Sequence, residues 1–295
     1  MVTSRSMRKH ACLLAVAFLL LPVLLGAQVF DYPYIPAKYT TPETQLGYLA
    51  LHFWDSAKDA ESRALLADDD VLEQAVVDFA AVVSGVPERT QRKAVRRFAR
   101  TMARGEGLFG RAMEYVEKYL YSIDSPMRDD DLYGVFAERV GGAAGRYLRE
   151  EIRKNRVGTA ATDFAFLERG GAGGTLAGAC RDAEYLLVFF YDEDCSHCRA
   201  AVETLKADPF FEFCVLAGKM GILGVDVTAD PEAWAAQEAL LPDFCTDARV
   251  ADPEFFARGK YLFREMPAVY LLDRRGTVVL KEVRLQSVVE TVKSR

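Results

Sequence analysis

The chain of 295 residues has a net charge of −6, is 51% hydrophobic and 27% charged, and holds six cysteines against three histidines. That balance suits one to three domains with apolar cores and excludes disordered, collagen-like and disulfide-stapled miniprotein classes. The acidic surplus argues against nucleic acid, whose binding surfaces concentrate Lys and Arg, and three imidazoles (His10, His52, His197) are too few for a multi-histidine metal centre.

A basic start (Arg5, Arg8, Lys9), an apolar run over residues 11–26 and the small residues Gly26 and Ala27 follow the order of a secretory signal peptide, with Ala27 the last residue removed. Met7 can serve equally as the start. A retained anchor is the competing reading, but the run is shorter than the ~20 residues that span a bilayer comfortably. Removing residues 1–27 takes away those three basic residues and no acid, which moves the net charge from −6 to −9. The expected product is exported to the periplasm or cell envelope, without a stable membrane span. Cys12 leaves with the segment. Five cysteines remain (Cys180, Cys195, Cys198, Cys214, Cys245), and an odd number in a disulfide-permitting compartment leaves at least one without a permanent partner in the chain.

Residues 28–156 read as an all-α domain behind an extended lead, Tyr32-Pro33-Tyr34-Ile35-Pro36. Leu72, Val76, Phe79 and Val83 recur at helical steps after the start signal Asp68-Asp69-Asp70, and Gly85-Val86-Pro87 ends that helix. The next opens at Pro87, puts Val95, Phe98, Ala99 and Met102 on one face, and stops at residues 105–107. Its other face displays Arg89, Arg92, Lys93, Arg96, Arg97, Arg100 and Arg104, either a solvated surface or a dock for an anion or partner. Further helices are predicted over residues 108–121, 132–140 and 144–153, with no convincing internal repeat. His52, beside Phe53 and Trp54, reads as a packed core residue.

Near Gly158 the pattern changes, placing a boundary over residues 155–159 and a second domain over 157–295. Residues 163–168 read as a strand, the glycines of 170–174 as a turn, and Thr175-Leu176 as the returning strand. The unbroken apolar run 185–191 suits a buried strand. Then come a helix over 195–207, a strand over 222–227, helices over 231–240 and 253–261, strands over 269–272 and 278–283 around the turn Asp273-Arg274-Arg275-Gly276, and a closing helix over 285–292. Strands alternating with helices imply an α/β domain with a mixed sheet.

The chemistry concentrates in Cys195-Ser196-His197-Cys198, at the point where a buried strand turns into a helix. Free N–H groups and the macrodipole at a helix N-terminus favour an anionic sulfur at Cys195, and a protonated His197 adds positive charge. Thiolate is the attacking species in disulfide exchange, so position makes Cys195 the nucleophile and Cys198, one turn inward, the resolving thiol. Half a zinc site looks the same, but no second cysteine pair completes four ligands. In Arg264-Glu265-Met266-Pro267-Ala268-Val269-Tyr270 a proline stands just ahead of a buried strand, and the Met266–Pro267 bond is a candidate cis bond.

The order of strand, Cys195-Ser196-His197-Cys198, helix, strand, helix, Met266-Pro267, strand, hairpin and terminal helix resembles the thioredoxin superfamily over residues 157–295. The segment 158–176 looks like the extra N-terminal hairpin of its exported redoxin and TlpA-like branch. The resemblance implies a thioredoxin-like fold with Cys195 and Cys198 as the redox pair. It makes Pro267 the cis-proline facing them and Met266 a backbone partner for a substrate strand, with Ser196 and His197 tuning the pair and no cofactor or metal. Implied partners are disulfide or dithiol proteins of the envelope and a separate redox-recycling protein. The helical part, with Phe53-Trp54-Asp55, Val71-Leu72-Glu73-Gln74, Tyr119-Leu120-Tyr121 and Ser125-Pro126-Met127-Arg128, is similar to a domain of unknown function fused ahead of thioredoxin-like domains in exported bacterial proteins.

Three departures stand out. Phe189 occupies the place of the buried aspartate that manages the resolving thiol's proton in thioredoxin. The stretch from Cys198 to Pro267 is long, implying an insertion around residues 208–221 or 241–252. Ser-His replaces Gly-Pro between the cysteines, which points to a potential less reducing than thioredoxin's. Cys214 and Cys245 fall at the suspected insertions and either bridge each other or stay free, while Cys180 packs as a small apolar residue. The function expected is an exported thiol:disulfide oxidoreductase. The competing readings are an interaction protein on a thioredoxin-like scaffold and a thiol peroxidase, although Asp192 stands where a peroxidatic site needs Thr or Ser.

Overall fold

The computed structural model describes residues 30–228, 231–236, 239–261 and 263–294; the segment 1–27, expected to be a signal peptide, and Cys12 lie outside them. The chain divides into two compact units, the first ending at Ile152 and the second running from Arg153.

The first unit is helical: α1 (Pro42–His52), α2 (Ala60–Leu65), α3 (Asp69–Ser84), α4 (Glu88–Met102), α5 (Leu108–Leu120), α6 (Asp130–Ala137) and α7 (Gly142–Arg153). Its helix starts are written locally. Thr41 and Thr44 cap α1 reciprocally with Pro42 in the first turn, Asp68 accepts from the N–H groups of Asp70 and Val71, and Asp129 accepts from Leu132. The apolar stripes of α3 and α4 converge on an aromatic cluster. Phe79 stacks on Phe98 at 5.6 Å, Phe136 meets Phe98 edge-on at 5.4 Å, and Trp54 lies 5.3 Å from Phe79. His52 does not join that core. Its side chain is 32% exposed, its ring stacks on Tyr48 at 4.2 Å, and its Nδ1 pairs with Asp55 at 2.7 Å. At the last turn of α1 the imidazole keeps a polar partner, while Phe53 and Trp54 turn inward.

In the second unit, β1 (Ala165–Glu168), β2 (Gly173–Thr175), β3 (Tyr185–Tyr191), β4 (Met220–Asp226), β5 (Thr246–Val250), β6 (Ala268–Asp273) and β7 (Val278–Lys281) form one mixed sheet in the order β2-β1-β5-β4-β3-β6-β7. The neighbours of β3 are β4, parallel, and β6, antiparallel; β5 runs parallel to β4. Alternation along β3 explains its unbroken apolar run. Tyr185, Leu187, Phe189 and Tyr191 face one core with α9 (Ser196–Ala207), α10 (Pro209–Leu216) and, after the short α11 (Pro231–Ala236), α12 (Leu285–Lys293); Leu186, Val188 and Phe190 face the other, with Phe164, Phe166, Leu176 and Tyr270.

Two expectations change, and the two stretches at which an insertion is expected hold regular elements. Thr175 caps the short helix α8 (Leu176–Ala179) by accepting from Gly178 N–H, so the hairpin's second strand stops there. Residues 253–261 are successive turns, not a helix: Gly259 takes φ +57°, and Phe255 and Tyr261 are drawn onto Phe164 at 5.2 and 5.9 Å. Residues 208–221 hold helix α10, capped by Asp208, and the start of β4. Residues 241–252 hold β5, a full sheet strand whose Asp247 and Arg249 break the apolar pattern that would announce it.

Candidate functional site

The sulfur pair is positioned by the β3–α9 junction. Cys195 is the N-cap of α9, in extended conformation, and its Sγ accepts from Cys198 N–H at 3.3 Å. Cys198 is fully buried against Phe189, Val202 and Leu205, and its Sγ accepts from Asp192 N–H at 3.5 Å. Burial, with the Cys195 sulfur and the Asp192 charge adding to it, pushes the Cys198 thiol up to about 12. Cys195 is half-buried, whereas Ser196 and His197 are exposed. The Met266–Pro267 bond is cis, and the Cys195 Sγ–H faces the Met266 carbonyl at 3.8 Å. The structure thus brings Cys195, Cys198, Met266 and Pro267 together, with Ser196 and His197 on the solvent side. All five described cysteines are free thiols, so no bridge joins Cys214 to Cys245; Cys180 is buried in the second core cluster.

Two polar clamps hold the segments that carry these groups, and neither was visible in local sequence patterns. Arg169, just after β1, donates to Glu193 at 2.6 Å and to Asp247 at 2.5 Å, donates to the Trp234 carbonyl, and lies over the Trp234 ring at 4.4 Å. Tyr191 donates to the other Asp247 oxygen at 2.6 Å. Glu193 stands two residues before Cys195, so this network fixes the loop between β3 and α9. Burial works against the Arg169 cation, but Asp247 and Glu193 outweigh it and hold the guanidinium strongly charged. For Glu193 burial wins over Arg169, and its carboxyl sits above its ordinary range.

The second clamp is Glu282, buried with φ +45°, whose carboxylate accepts from the Arg264 backbone N–H at 2.8 Å and pairs with the Arg264 guanidinium at 3.1 Å. It grips the strand approach that ends in Met266 and Pro267. Asp226, opposite Tyr191 in the β3–β4 register, is a third buried acid; burial raises its carboxyl, and Thr228 hydrogen bonds oppose this. Phe189, where thioredoxin carries its acid, is fully buried in the core. The only sequence signal for any of these acids is the run Asp192-Glu193-Asp194, which reads locally as a polar loop; Arg169 and Asp247 are 78 residues apart.

A depression of ≈ 600 Å³ lined by Ala200, Glu203, Thr204, Ala207, Asp208 and Pro209 lies at the α9–α10 junction and includes neither site cysteine. Among the described residues no group of three or more His, Cys, Asp or Glu can hold a metal ion, and no helix is long and apolar enough to cross a membrane.

Residues 4–143 match the model of a domain of unknown function, DUF5106. The chain is similar to a thioredoxin-like protein from Bacteroides caccae, with 26% identity and a TM-score of 0.74 over 91% of this chain and 99% of that one. It is also similar to the C-terminal domain of an uncharacterized protein from Bacteroides fragilis (29% identity, TM-score 0.44, 47% of this chain and 98% of that one). A further likeness is to the thioredoxin domain of a thiol-disulfide oxidoreductase from Bacteroides vulgatus (23% identity, TM-score 0.40, 47% and 96%). No curated protein matches the chain.

Proposed function

We propose that this chain, a member of the thioredoxin superfamily with a helical domain ahead of its thioredoxin-like unit, is an exported thiol:disulfide oxidoreductase acting through Cys195 and Cys198. One observation carries the reading. The half-buried Cys195 sulfur caps a helix N-terminus, accepts the Cys198 N–H at 3.3 Å, and faces the carbonyl ahead of a cis-proline at 3.8 Å. Export rests on the basic, apolar and small-residue order of residues 1–27.

In the reducing direction, the Cys195 thiolate attacks one sulfur of a protein disulfide. The substrate S–S bond breaks, a Cys195–substrate disulfide forms, and the released substrate sulfur takes up a proton. Cys198 then gives up its proton and attacks the Cys195 sulfur, which expels the second substrate thiol and leaves a Cys195–Cys198 disulfide. Two electrons pass from the pair to the substrate, and a separate dithiol protein restores them. The reverse sequence forms a disulfide in the substrate. The burial that holds Cys198 protonated at neutral pH keeps Cys195 as the attacking group. Met266, beside Pro267, offers backbone groups to an extended substrate strand, and the exposed Ser196 and His197 flank the attacking sulfur and tune it.

Removing the resolving thiol tests this. Cys198→Ser should accumulate mixed disulfides with envelope proteins through Cys195, detected as reducible high-mass bands on non-reducing gels. Recovery no greater than from Cys195→Ser would overturn the assignment.

A further inference from the structure

The solvent face of α4 carries Arg89, Lys93, Arg96, Arg97 and Arg100 at helical steps, and Arg104 just past the helix end continues the row. At about 1.5 Å per residue the row is roughly 22 Å long. All six side chains are exposed, and no acidic residue falls between Arg89 and Arg104. Several cations elsewhere in this unit meet carboxylates: Lys58 with Asp55, Arg111 with Asp69, Lys118 with Glu73. Even on this helix, Arg92, at the flank, is held by Glu88 and Glu138, and Arg97 donates to the Leu51 carbonyl at 2.5 Å. Among the described residues, Arg89, Lys93, Arg96, Arg100 and Arg104 meet no carboxylate at ion-pair distance. Like charges at i and i+4 destabilise a helix slightly, so the fold does not account for the row. Leu51, Lys93, Arg96, Arg97 and Arg100 also line a concavity of ≈ 340 Å³.

We propose that this face binds an acidic polypeptide segment. The row is several times longer than a compact anion, which would engage the concavity and leave Arg89 and Arg104 unused. Guanidinium forks pair bidentately with carboxylates, and Leu51 in the concavity wall suits the methylenes of a glutamate. A lipid surface fits less well: among the described residues, no exposed large apolar side chain lies on α4. The chain's net charge of −6 opposes a long nucleic acid reaching beyond the row.

The test uses the full chain and a blocked, dye-labelled 16-residue peptide with glutamates at positions 1, 5, 8, 9, 12 and 16, followed by fluorescence anisotropy. Saturable binding is expected at low salt, weakening as salt screens it. The charge reversal Arg96→Glu/Arg100→Glu should weaken it about tenfold or more, and Arg96→Gln/Arg100→Gln by less, with circular dichroism and the unfolding midpoint unchanged. Absence of saturable binding, or equal binding by a folded charge-reversal variant, overturns the proposal. So does displacement of the peptide by tripolyphosphate, phosphatidylglycerol vesicles or a 16-mer single-stranded DNA at lower anionic-group concentration than unlabelled peptide, which would assign the face to phosphate. Binding is read without turnover, so its outcome is independent of the redox assignment.

Discussion

In the helical unit, charged pairs such as Arg92–Glu88 and Arg111–Asp69 stand at the surface, and the interior is filled by rings: Phe53, Trp54, Phe79, Phe98 and Phe136. In the second unit, Glu193, Asp226, Lys281 and Glu282 are all buried; among the described residues of the first, Glu151 is the only buried charged side chain. Glu193 lies in the loop ahead of Cys195, Asp226 ends β4 opposite Tyr191, and Glu282 follows β7 and holds Arg264 ahead of Met266 and Pro267. A buried ion pair rarely outperforms apolar packing in stability, because desolvation offsets the attraction, but it tolerates few geometries. The helical unit thus uses its interior for cohesion, whereas the second places desolvated charge beside the loops whose geometry decides the chemistry.

The largest effect is expected at Arg169. Arg169→Ala leaves the buried Glu193 and the mostly buried Asp247 without their shared cation, and should cost about 3–5 kcal/mol in denaturant unfolding of the second unit, together with slower disulfide exchange. An unchanged midpoint would mean the clamp carries no structural weight. Asp226→Asn tests the opposite sign. Burial raises this carboxyl in the folded state, so its charge costs stability above the folded value, and the cost vanishes as pH falls toward its unfolded value near ~3.9. The variant should therefore melt at a higher temperature than the parent at pH 8 and show no gain below about pH 4. A gain that persists in acid would assign the effect to something other than charge. The smallest effect belongs to the helical unit: Arg92→Ala, whose side chain is 43% exposed, should cost less than about 1 kcal/mol in the same unfolding measurement. A larger loss would erase the contrast.

Legibility followed the range of the signal. Helices α3, α4 and α5 were readable because cap, stripe and stop signal lie within one helix length. So was the position of Cys195, since a buried strand, a short polar loop and a helical period adjoin in sequence. Strand β5 carries no local signal because Asp247 and Arg249 break its alternation; their place comes from the flanking strands β4 and β1 and, for Asp247, from Arg169. In the stretch 253–261, Pro253 and the spaced aromatics imitate a helix start, yet Phe255 and Tyr261 pack on Phe164 and Phe256 on Phe190.

From the sequence alone came the two-part organisation, the mixed α/β character of the second part, the cysteine pair at a strand-to-helix junction, the proline ahead of a buried strand, and the basic face of α4. Each depends on residues within a turn or a strand of one another, where steric and hydrogen-bonding rules act locally. Tertiary structure alone decided that Arg169 meets Glu193 and Asp247, that Glu282 holds Arg264, that the Met266 carbonyl faces Cys195 at 3.8 Å, and that the basic row stays unneutralised. Such contacts depend on which distant segments the sheet order and helix packing bring together, and whether a charge finds a partner is settled only when every neighbour is in place.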